Sequence, residues 1–380
     1  MRITAVKRFL VTDAGRVGVY VKIETDTGLY GVGEATLGSS PRAVLGLLDD
    51  LEHWLIGADP ARIEFLWQQC YRRLFFRGGP VTGSALSGID QALWDLAGKA
   101  LGVPVHRLLG GRARDRLRYY VHVGGGSAEA AAASARRAVD RGATAVRFSA
   151  VQATDKTGVH DHRAAVDRTV EHTRAIREAV GPDVDLLVEC HGRFDPPWAI
   201  ELCRRVEVYR PFFVEDPIRH EYRDALAQVR AHVATPLAMG ERAHDKWDMR
   251  ELIERDYVDY LRPDVCNCGG ITELRKIAAY AEVHHINLVP HNVAGPVGTA
   301  AGVHLAFAAQ NVAMIEAPWA LRDGEETLAG PYPRVEGGYI LPPEAPGLGV
   351  DIDEAACAVA PFSPWLLPDI LAPDGSVRDW

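Results

Sequence analysis

Nothing in this sequence is both long and unbroken in its hydrophobicity. The opening residues, MRITAVKRFLVTD, lack the apolar stretch of a secretory signal. The most apolar later segment, residues 297–317, is interrupted by His304, Gln310, Asn311 and Glu316, so no membrane span is expected. Cysteine is scarce, six in 380 residues without regular spacing, which excludes a disulfide scaffold and fits reduced thiols in a cytoplasm. Cys266 and Cys268 have no second pair to complete a zinc site and read as packing residues. Positive charge is not in excess. The net charge of -9 points away from a nucleic-acid partner. The run Val123-Gly124-Gly125-Gly126-Ser127 lacks the GxGxxG spacing and the acidic partner of a dinucleotide fold.

What is present is an ordinary globular composition, 47% apolar and 24% charged, long enough for a large core and two domains. Val17, Val19, Val21 and Ile23 alternate in the manner of a strand, and Thr25-Asp26-Thr27-Gly28 reads as a turn. Residues 41–109 are mainly helical in pattern, with Ala85, Ile89, Ala92, Leu93 and Leu96 on one face, ending at Gly110-Gly111. From Leu117 the texture changes. Eight short apolar runs, at 119–123, 145–148, 186–188, 212–214, 237–239, 257–261, 287–289 and 312–315, alternate with amphipathic stretches. That alternation predicts βαβ units, and eight of them predict a closed parallel barrel. After Asp323 the chain becomes rich in Pro and Gly, which reads as an irregular return to the first domain with a surface tail from Ala360.

Barrel enzymes keep their chemistry at the C-terminal ends of the strands. Here those ends are charged. Glu189, Glu215 and Glu241 close the third, fourth and fifth runs at intervals of twenty-six residues, so one barrel unit separates each from the next. Three converging carboxylates repel unless a cation sits between them, and all-oxygen ligation selects a hard divalent ion, Mg²⁺ first. The competing reading pairs each Glu with a rim arginine, Arg193, Arg219 or Arg242. The sixth, seventh and eighth runs end at Asp264, His291 and Glu316, and His191 follows the third. A carboxylate beside an imidazole orients it and raises its basicity, so Asp264 with His291 is a candidate base.

The ordered set FRGGPVTGSALSGIDQALWDLAGKALGVPVHRLLGG, CHGR, VEDP, GER, GGITE, PHNVAGPVGTAA and EAPGLGVDID runs over most of the chain. It resembles the enolase superfamily, mandelate racemase subgroup, and within it the acid-sugar dehydratases of the galactonate dehydratase type. The resemblance implies an α/β fold: a modified TIM barrel, (β/α)7β, at 117–323, and an α+β capping domain formed by 1–116 and the returning segment 324–380. It implies Mg²⁺ on Glu189, Glu215 and Glu241, His291 with Asp264 as general base, His191 as general acid, and Glu316 hydrogen-bonded to a substrate carboxylate oxygen. Capping loops near residues 13–17 and 37–41 would select the substrate, with Arg147, His122 and Trp319 as further candidate contacts. The implied substrate is a sugar acid, the implied assembly a homo-oligomer. Two departures stand out. The first ligand of this family is usually Asp and here is Glu189, one methylene longer. The racemases carry Lys-x-Lys where this chain has Arg147-Phe148-Ser149, and arginine is a poor base.

The implied chemistry is Mg-dependent loss of water from an aldonate. Racemisation or epimerisation by His191 and His291, cycloisomerisation on the same scaffold, and a metal-binding protein with impaired catalysis are the alternatives. His160-Asp161-His162 reads as a solvated loop capping the next helix, and Lys156 and Lys246 as surface charges.

Overall fold

The computed structural model describes residues 1–150, 159–322, 327–367 and 369–379; Lys156 and the expected boundary at 323 lie outside the described residues. The chain starts as an antiparallel meander, β1 (Ile3–Asp13), β2 (Arg16–Thr25) and β3 (Tyr30–Glu34). Ala14 and Gly15, both at positive φ (48° and 77°), make the two-residue turn whose twist matches the hairpin. Helices α1 (Pro41–Leu55), α2 (Ile63–Arg73), α3 (Gly79–Leu101) and α4 (Val105–Leu108) follow. The meander lies directly on α3. A Cβ added to Gly33 would stand 2.0 Å from the Gly88 carbonyl oxygen, so only glycine allows this approach.

The barrel strands are β4 (Leu117–His122), β5 (Ala145–Phe148), β6 (Asp185–Glu189), β7 (Phe213–Glu215), β8 (Leu237–Met239), β9 (Tyr260–Leu261), β10 (Asn287–Leu288) and β11 (Ile315–Glu316). Each predicted run overlaps one of them. The first seven are followed by α5 (Ala128–Asp140), α6 (His162–Val180), α7 (Pro196–Val206), α8 (Asp224–Arg230), α9 (Lys246–Glu254), α10 (Gly270–Val283) and α11 (Pro296–Ala308). Strands β4 to β10 pair in parallel in sequence order, and β11 pairs with β4. The ladder closes where Leu288 N donates to Asn311 O (2.7 Å) and Ala313 N donates to Leu288 O (2.9 Å). Tyr120, Ala145, Leu187, Phe213, Ala238, Val289 and Met314 fill one layer of the barrel interior.

Helix α11 is buried from Pro296 to Phe307, including His304. It is apolar all round because β4 and α10 of the barrel cover one side while β3 and α4 of the first unit cover another. Carboxylates from the first unit hold the joint. Glu34 accepts from Gly295 N and Gly298 N (both 2.8 Å) at the start of α11, and Asp90 accepts from Thr272 N (2.9 Å) at the start of α10. Trp67 Nε1 donates to Gly269 O (2.7 Å).

The C-terminal segment touches more than the first unit. β12 (Val335–Glu336) and β13 (Tyr339–Ile340) form a hairpin whose second strand pairs antiparallel with β4. The chain then reaches the first unit, where Glu354 of α12 (Glu354–Val359) meets Lys7 (2.7 Å) and Lys22 (2.8 Å), and Thr12 N donates to Pro361 O. Beyond that it returns to the barrel. Leu371 O accepts from His160 N (2.7 Å), and Asp379 pairs with Arg219 (3.3 Å). The tail is mostly exposed, as expected of a surface segment, with Leu366 at 79%, and it is tied down at both ends.

Candidate active site

Side chains two apart on a strand point the same way. Two residues beyond the apolar layer, the same strands therefore project a second, polar layer: His122 above Tyr120, Arg147 above Ala145, Glu189 above Leu187, Glu215 above Phe213, Arg262 above Tyr260 and Glu316 above Met314. Glu189 and Glu215 are register partners across β6 and β7, and His122 and Arg147 across β4 and β5. Glu241 follows Gly240, whose φ of 137° turns the chain after β8. One carboxylate oxygen from each of Glu189, Glu215 and Glu241 lies within 4.8 Å of the others.

The arginine partnership anticipated as a competing reading exists, with different arginines. Arg147 meets Glu189 Oε2, and its Nε is 3.6 Å from Glu215 Oε2. Arg262, fully buried, meets Glu215 through Nε, reaches Glu316 Oε2 through NH2 (2.8 Å) and donates to Val289 O (2.9 Å). Of the three arginines expected at the rim, Arg219 instead pairs with Asp195 (2.5 Å) and Asp379, while Arg242 approaches Glu241 at 3.7 Å and donates to His191 O (3.1 Å). Burial pushes Glu215 well above the ordinary carboxylate range, with Glu189 and Glu241 adding to it against the two arginines. Burial acts on Glu189 too, but His191 and Arg147 outweigh it and hold that carboxyl low. The donor set suits a hard divalent cation: it is all oxygen, its spacing is right, and both Glu215 oxygens and Glu241 Oε2 accept no aligned hydrogen bond.

His291 Nδ1 lies 2.6 Å from Asp264 Oδ2, so Nε2 is turned toward Glu241, 3.6 Å away. Asp264 is itself fixed, its Oδ1 accepting from Cys266 N (2.6 Å). Burial opposes charge on His291, yet Glu316, Glu241 and Asp264 together raise it to about 9. His191 sits in a left-handed conformation (φ 51°) and its N–H donates to Glu189 Oε1 (2.5 Å). Its Nε2 is 3.2 Å from Arg147 NH2, and burial, with that arginine, lowers its pKa. His122 meets Glu316, and its Nε2 is 3.5 Å from Arg147 NH1. Glu316 also accepts from Asn292 N (3.1 Å). Trp319 is a core side chain stacked on Tyr332 at 4.9 Å.

Two family models cover most of this architecture. One, for the mandelate racemase/muconate lactonizing enzyme N-terminal domain, matches residues 9–110; the other, enolase C-terminal domain-like, matches residues 130–356. The chain belongs to the enolase superfamily. Among its relatives there, the D-galactonate dehydratase of Ralstonia pickettii is 40% identical over 95% of this chain and 96% of that one. The D-galactonate dehydratase of Klebsiella pneumoniae is 38% identical, with the same shares covered. Among solved structures, an enolase from Pantoea ananatis with bound d-gluconate and Mg superposes with a TM-score of 0.93 at 34% identity over 99% of both chains. One from Agrobacterium radiobacter with Na and L-malate gives 0.92 at 32% over the whole of both.

This enolase-superfamily barrel also holds residues that the sequence reading left without a role. Arg262 is the chief one, and the signal for it was present: a cation directly after the strand Tyr260–Leu261 needs a buried counter-charge. Asp216, buried at φ 41°, lies close enough to Glu241 and Glu189 for burial and those charges to raise its pKa well above the ordinary value. Asp13, near an expected substrate loop, is a structural anchor that accepts from Tyr20 Oη (2.6 Å) and Leu328 N (2.9 Å). Asp161 caps α6 through Ala164 N, as read, but the loop is not solvated, since His160 is buried against Phe194 and His162; nor is Lys246 a free surface charge, since it pairs with buried Glu273 (2.5 Å).

Proposed function

We infer that this protein is a Mg-dependent hydro-lyase that dehydrates a sugar acid, an aldonate, to a 2-keto-3-deoxy acid. The observation that carries the reading is a histidine beside each of two members of an acidic triad: His291, oriented by Asp264, next to Glu241, and His191 next to Glu189. The D-galactonate dehydratase relatives and the gluconate-bound neighbour support the substrate class.

Glu189, Glu215 and Glu241 are the residues that would hold the cation. When bound, a hard divalent ion supplies positive charge against the substrate's carboxylate oxygens and offsets the carboxylate field that keeps His291 protonated. Asp264 fixes the tautomer of His291 so that Nε2 carries the working lone pair, and that nitrogen takes the C2 proton. His191 gives a proton to the departing 3-hydroxyl, which leaves as water, and the enol tautomerises to the keto acid. Glu316, held by Arg262 and Asn292, faces the substrate carboxylate. His122 and Arg147 line the same layer as candidate substrate contacts.

In this enzyme residues 117–323 would carry catalysis and 1–116 with 324–380 the cap. It places the enzyme in a reducing cytoplasm as a homo-oligomer. Six free, buried cysteines agree with such a compartment.

The test is incubation with Mg²⁺ and an aldonate library in D₂O. Keto-acid formation supports dehydration, whereas deuterium uptake at C2 without loss of water supports the racemase reading instead. His291→Asn is expected to abolish turnover and C2 exchange together, with each histidine worth about 10²–10⁴-fold. His191→Asn is expected to stop elimination and leave exchange. Full activity in His291→Asn refutes the base assignment.

A further inference from the structure

The polar layer holds two buried guanidiniums, and they are not equivalent. Arg262 is gripped from three sides, by Glu215, Glu316 and Val289 O, with no exposed surface. It cannot leave. Arg147 stands at the edge of the cluster. Its NH2 meets Glu189 Oε2, its Nε approaches Glu215, and two ring nitrogens lie beside it, His191 Nε2 at 3.2 Å and His122 Nε2 at 3.5 Å. Both Glu189 oxygens are engaged. Oε1 accepts the His191 N–H and Oε2 is on Arg147. Arg147 thus sits on Glu189 and Glu215, two of the three carboxylates that a cation would share.

We propose that Arg147 is a resident counter-ion that competes with the cation for Glu189 and Glu215, so that loading the metal requires the guanidinium to turn off Glu189. The proposal rests on the reading of the triad as a cation site. Its physical basis is charge. Without metal, two of three converging carboxylates are neutralised by Arg147 and Arg262, which lets the cluster fold without a cation. A divalent ion seated on the same carboxylates is repelled by a guanidinium a few ångströms away. With the guanidinium turned off Glu189 and screened by water, a divalent ion and a unit charge about 4 Å apart still shift an equilibrium by roughly one to two orders of magnitude. The extra methylene of Glu189 is what carries its Oε2 to Arg147; a shorter carboxylate withdraws from the guanidinium while remaining available to a cation.

The test is binding of Mn²⁺ alone to the full-length protein, followed by electron paramagnetic resonance of the free ion, with no substrate and no turnover. Wild type, Arg147→Met, Glu189→Asp and Glu241→Gln are compared. Arg147→Met is expected to bind Mn²⁺ roughly ten- to a hundredfold more tightly than wild type. Glu189→Asp, which keeps every charge, is expected to bind more tightly as well. Glu241→Gln, which loses a ligand, is expected to bind less well. Unchanged or weaker binding in both Arg147→Met and Glu189→Asp, with Glu241→Gln still impaired, overturns the competition and leaves the cation site standing. No Mn²⁺ binding by any of the four overturns both. Should Arg147→Met not fold, Glu189→Asp decides alone: tighter binding supports the competition, equal or weaker binding overturns it.

Discussion

Replacing Arg262 by Met keeps the length and bulk of the side chain and removes its charge. The guanidinium joins two carboxylates, Glu215 and Glu316, that are as fully buried as itself, and it also donates to Val289 O. Removing one member of a buried ionic network strands the others. The cost is about 3–5 kcal/mol, more than the loss of an ordinary hydrogen bond, because the remaining charges stay desolvated. Urea unfolding at pH 7, followed by far-UV circular dichroism, measures it in wild type, Arg262→Met, Glu316→Gln and the double variant. The double variant is expected to be less destabilised than the two single losses combined, by about 1–3 kcal/mol, because the partners are in contact. The pH dependence has a definite sign. Glu215 already titrates above its ordinary value, burial being the main cause, and without Arg262 it rises further. A raised acid makes the folded state the tighter proton binder, so the deficit of Arg262→Met narrows as pH falls from 7 toward 5. A loss under ~1 kcal/mol at pH 7, or strict additivity in the cycle, refutes the view that this arginine balances the charge of the site.

His304 offers a second pH test. Burial, with His106 nearby, lowers it from 6.5 to about 3, while its ring accepts from His106 N (3.1 Å) and approaches Leu348 O (3.1 Å). A depressed base stabilises the fold above the unfolded value and loses that contribution as pH falls through 6.5 toward 3, at most ~5 kcal/mol. In His304→Gln this acid-side slope of unfolding free energy is expected to flatten; an unaltered slope rejects the assignment. Gly33→Ala is expected to cost at least ~3 kcal/mol, read as a fall in urea midpoint, because the new Cβ meets the backbone oxygen of Gly88. Dialysis against EDTA is expected to abolish turnover and Mg²⁺ to restore it, and turnover that survives chelation is incompatible with a cation on the triad.

The barrel was legible because its strands are short, apolar and evenly spaced, and the interval between Glu189, Glu215 and Glu241 matches one barrel unit. The pairing of Asp264 with His291 followed from adjacent strand ends. The arginines that meet Glu189 and Glu215 most closely were missed for a geometric reason. Arg193, Arg219 and Arg242 are near the glutamates in sequence, but loop residues have no fixed direction, whereas Arg147 and Arg262 sit in the two-residue phase that aims a side chain into the barrel. Glu34 and Asp90 were invisible for another reason. Each satisfies the N-terminus of a helix far away in the chain, a tertiary pairing that no local pattern announces. The tail is on the surface as its composition suggests, but composition could not announce where it is tied down, at Thr12, His160 and Arg219.

Helix α11 decides how the molecule opens. A rod of side chains with no water-loving flank, wedged between the two halves, makes any hinge that parted them as unfavourable as partial unfolding. Entry and exit of the sugar acid therefore belong to short segments at the lip, not to a clamshell. Changes that alter which molecules get in should concentrate in those segments, while the seam behind them stays shut through every turnover.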